Sequence, residues 1–359
     1  MTGEDDMDRL EGLMKEFTEA PGVSGDEQRV AVLMERELSA ICEIGKDRLG
    51  SVIARLEGER GGPKVMLAAH MDEIGLMVSH FTGRFIRFNT LGGWWSPRLI
   101  GLPVRIFSSS REIKGVVASR SPFSMDKEER DRPVKVKDLF IDVGLTGKQK
   151  PETLGIRPGD PVVPDFPFTV LHGGRAYMAK AWDDRAGCLA VVEAMRRLKR
   201  YKLGCELYGV GTVQEEVGIR GAVTSGHAVG PDVCLAVDVN IAQDLPGAPE
   251  GSEEKLGSGV SICVYDATLI PNRKLRDRVV AVAEKSRVPY HFSAVPYGGT
   301  DGGRVHLNQS GVPTLVIGIP TRYIHSPAGI ICRKDFDNAV KLLVETIRTF
   351  DRGTVEGLT

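Results

Sequence analysis

The 359-residue sequence lacks features that several large protein classes require. No apolar run approaches the roughly 18 residues of a membrane-spanning helix, and the acidic stretch MTGEDDMDRLEG has no apolar core typical of a secretory signal. A formal net charge of −1 supplies no field that would attract nucleic acid or an anionic membrane. The six cysteines form no CxxC pair. We therefore predict a cytoplasmic protein with reduced thiols that binds neither nucleic acid nor membranes.

The apolar pattern divides the chain into two kinds of segment. Residues 1–72 and 166–359 alternate strand-like apolar runs, such as 64–69, with stretches of helical periodicity, such as 185–198. Before the second predicted helix, Ser24 or Asp26 is in position to act as an N-cap. Residues 73–165 instead contain short alternating segments between Gly, Pro and Ser turns, which is typical of a small β-barrel or sandwich. We predict an α/β domain whose sheet is covered on both faces, interrupted by an inserted β domain.

Side chains that bind metals stand where several apolar runs end. They are His70 and Asp72, Asp183 and Asp184, Glu215 and Glu216, Asp238, and His325. Sites in open α/β sheets form outside the carboxyl ends of strands, so these residues could converge. One alone would indicate little, because a lone histidine is often a core residue and an acidic pair before a helix is often an N-cap. Several carboxylates buried together, however, are costly unless cations compensate them, which favours a metal site.

Charge balance favours two metal ions over one. Imidazole and carboxylate ligands without clustered thiolates suit zinc, cobalt or manganese. The three charges of Asp183, Glu216 and Asp238, together with a bridging hydroxide, balance two divalent ions, whereas a single ion leaves the site strongly anionic. Paired ions roughly 3.5–4 Å apart lower the pKa of a shared water. We therefore predict two divalent ions per subunit.

The two adjacent glutamates and Asp72 have separable roles. Neighbouring side chains at a strand end diverge, so one glutamate can bind metal while the other moves a proton from water to a leaving amine. His70 and Asp72 are two residues apart and share a strand face. Asp72 can therefore accept a hydrogen bond from the imidazole nitrogen that does not bind metal. The alternative is that Asp72 is a solvent-exposed turn residue.

Seven motifs follow the order found in one peptidase family. They are AAHMDEIG (68–75), GIRPGDPVV (155–163), AWDDRAG (181–187), VQEEVG (213–218), AVDV (236–239), GGTDGG (298–303) and RYIHSP (322–327). Residues 10–350 or so therefore resemble family 42 of the metallopeptidases. This family contains the tetrahedral and glutamyl aminopeptidases, some of which were once described as endoglucanases.

The resemblance implies a metal-dependent aminopeptidase that acts on peptides. Glu215 matches the family's general base, and Asp72 matches the carboxylate that orients a histidine ligand. A cis peptide bond between Asp183 and Asp184 is also implied. Both ions would be zinc or cobalt by preference, and manganese is a compatible alternative. Their ligand sets would share one residue: His70, Asp183 and Asp238 for one ion, and Asp183, Glu216 and His325 for the other.

The resemblance also implies a fold, a substrate loop and an assembly. The fold is a mixed-sheet, phosphorylase/aminopeptidase-like α/β domain with a small β-barrel that serves dimerisation, and six dimers build a tetrahedral dodecamer. Gly299, Thr300 and Asp301 of GGTDGG would contact substrate near the S1 pocket. The alternative is that this loop is a plain turn in which Asp301 begins a short helix.

Departures from the family pattern occur at Trp182, at SPFSM (121–125) and at LGSGV (256–260). None is a proposed ligand, so they bear on substrate preference and assembly.

A glycoside hydrolase is an alternative, but it needs two carboxylates facing each other about 5–10 Å apart. The adjacent glutamates diverge instead, and aromatic residues make up only 6% of the chain. A noncatalytic assembly protein is a second alternative, but it would be expected to have lost ligands or the base.

Overall fold

The computed structural model of the protein describes residues 8–248 and 251–358. Of the strands in these residues, eleven form one mixed sheet and six close a barrel. In chain order the strands are β1 (Glu43–Lys46), β2 (Val52–Leu56), β3 (Lys64–His70), β4 (Gly75–Thr82), β5 (Phe85–Leu91), β6 (Pro103–Phe107), β7 (Glu112–Ala118), β8 (Phe140–Asp142), β9 (Pro161–Pro164), β10 (Thr169–Leu171), β11 (Ala176–Ala179), β12 (Glu206–Thr212), β13 (Val233–Ile241), β14 (Val260–Asp266), β15 (Tyr290–Val295), β16 (Thr314–Arg322) and β17 (Gly329–Cys332).

Several helices begin at side chains that accept a backbone hydrogen bond. Asp8 accepts from Glu11 N at 2.8 Å, and Asn272 accepts from Leu275 N at 2.9 Å. Within the described residues, none of the helices combines the length and the apolar character needed to cross a bilayer. The helices are α1 (Arg9–Glu19), α2 (Gln28–Leu38), α3 (Lys127–Arg130), α4 (Trp182–Leu198), α5 (Arg220–Val229), α6 (Arg273–Ser286), α7 (Gly302–Val305), α8 (Arg333–Ile347) and α9 (Arg352–Glu356).

The centre of the large sheet is parallel. The strand order is β1-β2-β12-β3-β13-β16-β17-β11-β10, with β14 paired to β16 and β15 paired to β14. β12, β3, β13 and β16 run parallel to their neighbours in this group. Their carboxyl ends therefore meet at one edge, where open α/β sheets form binding sites.

Helices cover both faces of the parallel strands, as predicted. On β3, alternate residues enter different cores because side chains alternate across a strand. Val65 and Leu67 pack in the large core that includes residues of α1, α2, α4 and α8. Met66 and Ala68 pack in a second core with residues of α5 and with Val305 of α7.

The segment between β3 and β10 forms the predicted β unit, and it is a closed barrel. Its strands follow the order β4-β5-β8-β7-β6-β9, and every pair in this order is antiparallel. The barrel has its own apolar core, which includes Leu76, Ile86 and Val104. The predicted mixed α/β fold with an inserted barrel is thus confirmed. Residues 124–137, between β7 and β8, contain the short helix α3.

Candidate metal centre and active site

The predicted ligands converge at the carboxyl edge of the parallel strands. His70 is the last residue of β3, and Asp238 lies on β13, the strand beside it. Glu215 and Glu216 follow β12, the neighbour of β3 on its other side. His70 and Glu216, 146 positions apart in the chain (216 − 70), therefore come together because neighbouring parallel strands end side by side.

Asp183 lies between two histidines. Its Oδ1 is 3.0 Å from His70 Nε2, and its Oδ2 is 3.4 Å from His325 Nε2. Asp238 Oδ1 lies 4.0 Å from His70 Nε2, and Glu216 Oε2 lies 3.5 Å from His325 Nε2. The five residues therefore form two similar halves, each with one histidine and one flanking carboxylate, which share Asp183.

Asp184 has a different environment from its neighbour Asp183. Its Oδ2 accepts a hydrogen bond from His70 N at 3.2 Å, and its Oδ1 accepts one from Gly187 N at 2.9 Å. Both oxygens are thus used by backbone N–H groups, one of which, Gly187 N, belongs to α4. The peptide bond between the two aspartates is cis, as predicted.

The second ring nitrogen of each histidine faces a carbonyl oxygen. His70 Nδ1 lies 3.0 Å from the backbone oxygen of Asp72 and 3.5 Å from Asp72 Oδ1. His325 Nδ1 lies 2.7 Å from the carbonyl oxygen of Gly93. A carbonyl oxygen only accepts, so the neutral form of each ring carries its proton on Nδ1, and Nε2 is then the nitrogen available to a metal ion.

Asp72 has an additional structural role that the sequence did not indicate. Its Oδ1 accepts from Glu215 N at 2.9 Å, while its Oδ2 accepts from Glu216 N at 3.1 Å and from Ser24 Oγ at 2.6 Å. Asp72 is fully buried, so the alternative of an exposed turn residue is wrong. The predicted capping of α2 by Ser24 or Asp26 is also wrong, because Glu27 occupies the N-cap position and no side chain caps that helix. Asp72 thus fixes the backbone of both glutamates.

The cluster has more carboxylate than its histidines can neutralise. Burial and the nearby Asp183 charge raise the pKa of both Glu216 and Asp238 to about 8. Burial raises the pKa of Glu215 well above its usual range. Burial opposes the charged forms of Asp183 and His325 too, but their hydrogen bonding lowers the pKa of Asp183 and raises that of His325 to about 10. Additional positive charge at this site would stabilise the ionised carboxylates.

The donor atoms fit divalent cations. Ligand atoms of His70, Asp183 and Glu216 lie within 4.8 Å of one another, and so do those of His70, Asp184 and Asp238. Because the Asp184 oxygens already accept backbone hydrogen bonds, Asp183 is the better donor on that side too. In the described part of the chain, Glu216 Oε1 is buried and has no hydrogen-bond partner. A buried acceptor of this kind is costly unless a donor or a cation contacts it.

A pocket of about 620 Å³ opens beside the cluster. Glu215, Asp238 and His325 line it on the cluster side, and Gly299 and Thr300 line another part. The pocket is therefore large enough to hold a side chain of a small ligand next to the carboxylates.

Two residues highlighted by the sequence lie outside the lining of this pocket. Asp301 is 3% exposed, and its Oδ2 accepts a hydrogen bond from Thr212 Oγ1 at 2.6 Å. Trp182 is 1% exposed and contacts Phe168 edge to face, with ring centroids 6.3 Å apart. Trp182 thus packs in the core. Asp301 follows Gly299 and Thr300, which line the pocket, but is itself buried and outside the lining.

Sequence reasoning missed three residues that hold the site in place. Glu27 Oε1 accepts from Gln214 N at 3.0 Å, directly before the two glutamates. Gly93 contacts His325 as described above, and Arg98 Nη1 donates to the carbonyl oxygen of His325 at 3.1 Å. Gly93 and Arg98 belong to the segment between β5 and β6, so part of the barrel insertion supports the candidate metal centre. No periodicity or motif in the sequence marks these three residues.

Comparisons with known proteins match most of the chain. The model of the M42 glutamyl aminopeptidases matches residues 50–342. The putative aminopeptidase FrvX of Escherichia coli (strain K12) is 35% identical over 335 residues, which cover 92% of this chain and 93% of FrvX.

Solved structures show the same fold over nearly the whole chain. A TET aminopeptidase from the marine sediment archaeon Thaumarchaeota archaeon SCGC AB-539-E09 is 42% identical with a TM-score of 0.95, and the match covers 98% of this chain and 100% of that one. The TET1 peptidase of Pyrococcus horikoshii, described as able to assemble into a tetrahedron or a large octahedral shell, is 30% identical with a TM-score of 0.85. That match covers 95% of this chain and 100% of the other.

Proposed function

The chain belongs to the M42 glutamyl aminopeptidase family and is a peptidase, and from this premise we propose that it removes N-terminal residues from peptides at a dinuclear metal centre, with Glu215 as general base. The observation that supports this most strongly is the position of Asp183 between His70 Nε2 and His325 Nε2. A carboxylate with one oxygen towards each histidine is suited to bridging two ions.

The proposed ligands form two sets that share Asp183. His70, Asp183 and Asp238 would hold one ion, and Asp183, Glu216 and His325 the other. Zinc or cobalt suits these nitrogen and oxygen donors best, and manganese is compatible with them. When bound, the ions would supply Lewis-acid chemistry at the scissile carbonyl and lower the pKa of an adjacent water.

Glu215 would move the proton. Its side chain lines the pocket, and its backbone is fixed by the hydrogen bond from Glu215 N to Asp72. A carboxylate in this position can accept a proton from the attacking water and deliver it to the nitrogen of the departing peptide. Burial raises the pKa of Glu215, which makes its ionised form a stronger proton acceptor.

The acidic cluster also suits the free amine of the substrate. A free substrate amine would lie near a metal ion and the carboxylates, where it has a basic lone pair and N–H groups to offer, whereas an internal peptide nitrogen has one N–H group and no basic lone pair. We assign direct contact with the substrate to Gly299 and Thr300, which line the pocket. To Asp301 we assign an indirect role: its hydrogen bond with Thr212 would hold these two residues in position.

The assembly is proposed from the fold. Residues 1–72 and 166–359 would form the catalytic domain, and 73–165 would be the inserted domain through which two copies dimerise. Six dimers would build a tetrahedral dodecamer. The similar P. horikoshii peptidase is described as able to assemble into a tetrahedron. Light scattering should then give about 470 kDa for twelve chains of 39.1 kDa. The six free cysteines support a reducing, cytoplasmic setting.

An N-blocked peptide tests the activity. We expect the protein, loaded with zinc, cobalt or manganese, to shorten an unblocked peptide one residue at a time and to leave its N-acetylated twin intact, as followed by mass spectrometry. A chelator should stop the reaction, and added metal should restore it. Internal cleavage of the acetylated peptide would contradict an aminopeptidase, and inactivity on a broad peptide panel would favour the noncatalytic alternative.

A further inference from the structure

The pocket beside the metal centre has a polar floor. Three adjoining strands supply it, through Asn240 on β13, Gly318 on β16 and Ser261 on β14. A Cβ atom at position 318 would lie 2.9 Å from the Cβ atoms of both Asn240 and Ser261. Real Cβ atoms do not approach so closely, so any other residue at position 318 would displace the floor. Ser261 Oγ donates to Ser293 Oγ at 2.6 Å, which extends the polar surface onto β15.

A carboxylate without a cationic partner lies beside this floor. Glu254 lines the pocket and is 8% exposed. Its Oε1 is 3.5 Å from Asn240 Nδ2, and its Oε2 accepts from Gln243 Nε2. Burial raises the pKa of Glu254, and the hydrogen bonds from these two neutral amides lower it. Within residues 8–248 and 251–358, no Lys, Arg or His pairs with this carboxylate. A buried carboxylate in such surroundings is stabilised when a cation reaches it.

Two other charged side chains of the pocket, Arg98 and Asp266, do not pair with Glu254. Arg98 is the single lysine or arginine among the described lining residues, and its Nη1 donates to the carbonyl oxygens of Ile324 and His325. Asp266 also lines the pocket, but its Oδ1 accepts from Thr268 N at 2.6 Å and from Leu269 N at 2.7 Å. The single arginine therefore lies at the carbonyl oxygens of Ile324 and His325, whereas Glu254, which has no cationic partner among the described residues, is suited to a basic side chain.

The distance suits a long basic side chain. Asp238, in the metal centre, and Asn240, beside Glu254, are two residues apart on β13 and share a face of the sheet. Two residues of strand span about 7 Å. The four-carbon stem and ammonium of lysine cover a distance of this order, as does arginine with its longer guanidinium side chain.

We propose that Glu254 selects peptides whose first residue is basic, lysine or arginine. This selectivity rests on the proposed aminopeptidase function. The carboxylate would pair with the cationic end of the side chain, while the floor residues accept or donate hydrogen bonds around it. A first glutamate would meet two carboxylates, Glu254 and Asp266, and a first leucine would leave Glu254 unpaired.

Substrates matched in shape but not in charge test this selectivity. Fluorogenic amides of lysine, norleucine and Nε-acetyl-lysine share an unbranched four-carbon stem, and only lysine has a charged end. With the metal-loaded protein, we expect kcat/KM for lysine to exceed that for norleucine and for acetyl-lysine by about 10–100-fold, the range expected for one charge-assisted hydrogen bond. In Glu254→Gln the lysine-to-norleucine ratio should fall at least about tenfold.

Glu253→Gln is the matched control, because Glu253 is the exposed neighbour of Glu254. It should keep the wild-type ratio. A variant whose turn is merely destabilised would lose activity on both substrates alike, so the ratio separates recognition from a structural role. The wild-type ratio itself requires no variant to fold. Norleucine cleaved as fast as lysine, or an unchanged ratio in Glu254→Gln, would overturn the selectivity alone, whereas inactivity on every substrate would overturn the proposed function with it.

Discussion

Asp72→Asn tests how the turn with the two glutamates is held. In the wild type, Asp72 Oδ1 accepts from Glu215 N and Oδ2 accepts from Glu216 N. Asparagine has one acceptor oxygen and one NH₂ group, so in either orientation one of these buried backbone N–H groups must face a donor. An orphaned buried donor costs about 1–3 kcal/mol. We therefore expect the free energy of unfolding to fall by about 2 kcal/mol, as measured by denaturant titration.

The same substitution should weaken the metal centre. Both affected amides belong to residues whose carboxylates face the site, so a shift of the turn moves Glu215 and Glu216 together. Removing a partner that orients metal ligands commonly costs about 10–100-fold in metal affinity or activity. We expect losses of this size in kcat on an aminoacyl substrate and in the affinity for the added metal, as measured by titration of the metal-free protein.

Asp47→Asn is a control with similar chemistry outside the cluster. A single oxygen of Asp47, Oδ1, accepts from Leu49 N, Gly50 N and Ser51 N. Asparagine can keep all three of these bonds, and the Thr224 hydroxyl, which donates to Asp47 Oδ2 at 2.6 Å, can instead accept from the new NH₂ group and donate to the Gly221 carbonyl oxygen 3.2 Å away. We therefore expect a stability within about 1 kcal/mol of wild type and an unchanged kcat. Wild-type kcat and metal affinity in Asp72→Asn would refute the role of Asp72 in positioning the glutamates.

Three further predictions address the base, the bridging ligand and a buried ion pair. Glu215→Gln should keep its metal but lose about 10²–10⁴ in kcat, because an amide cannot accept the proton; the exposed Glu57→Gln is the control, and unchanged turnover would exclude the role. Asp183→Asn should lower the content of both ions by mass spectrometry, since its oxygens face different histidines, and loss of one ion alone would argue against bridging. Burial, opposed by Glu73, lowers the pKa of Lys180 from 10.5 to about 8, so the unfolded chain binds more protons between these pH values. Relative to Lys180→Met, the free energy of unfolding of the wild type should therefore rise by up to about 3 kcal/mol from pH 8 to 10.5, as measured by denaturant titration at each pH. The same pH dependence in both proteins would refute this.

The metal-binding residue types and the strand ends were predictable because both are local features. An apolar run that stops at His70 identifies a buried strand and its end without reference to any other part of the chain. Parallel neighbours then bring such ends to one edge, which is why five scattered residues could be grouped before the structure was known. The alternation of strands and helices likewise indicated a sheet covered on both faces.

The sequence by itself thus determined the α/β class, an inserted β unit that was either a barrel or a sandwich, and the identity of the clustered side chains; the structure closes that unit into a barrel. Only the tertiary structure decided which atoms they face: Asp72 binds amides 143 and 144 positions away, and the inserted segment supplies the Gly93 carbonyl to His325. It also brought Glu254 to the pocket beside β13. These contacts depend on how distant segments pack, and a hydrogen bond between such segments leaves no periodicity or spacing in the chain.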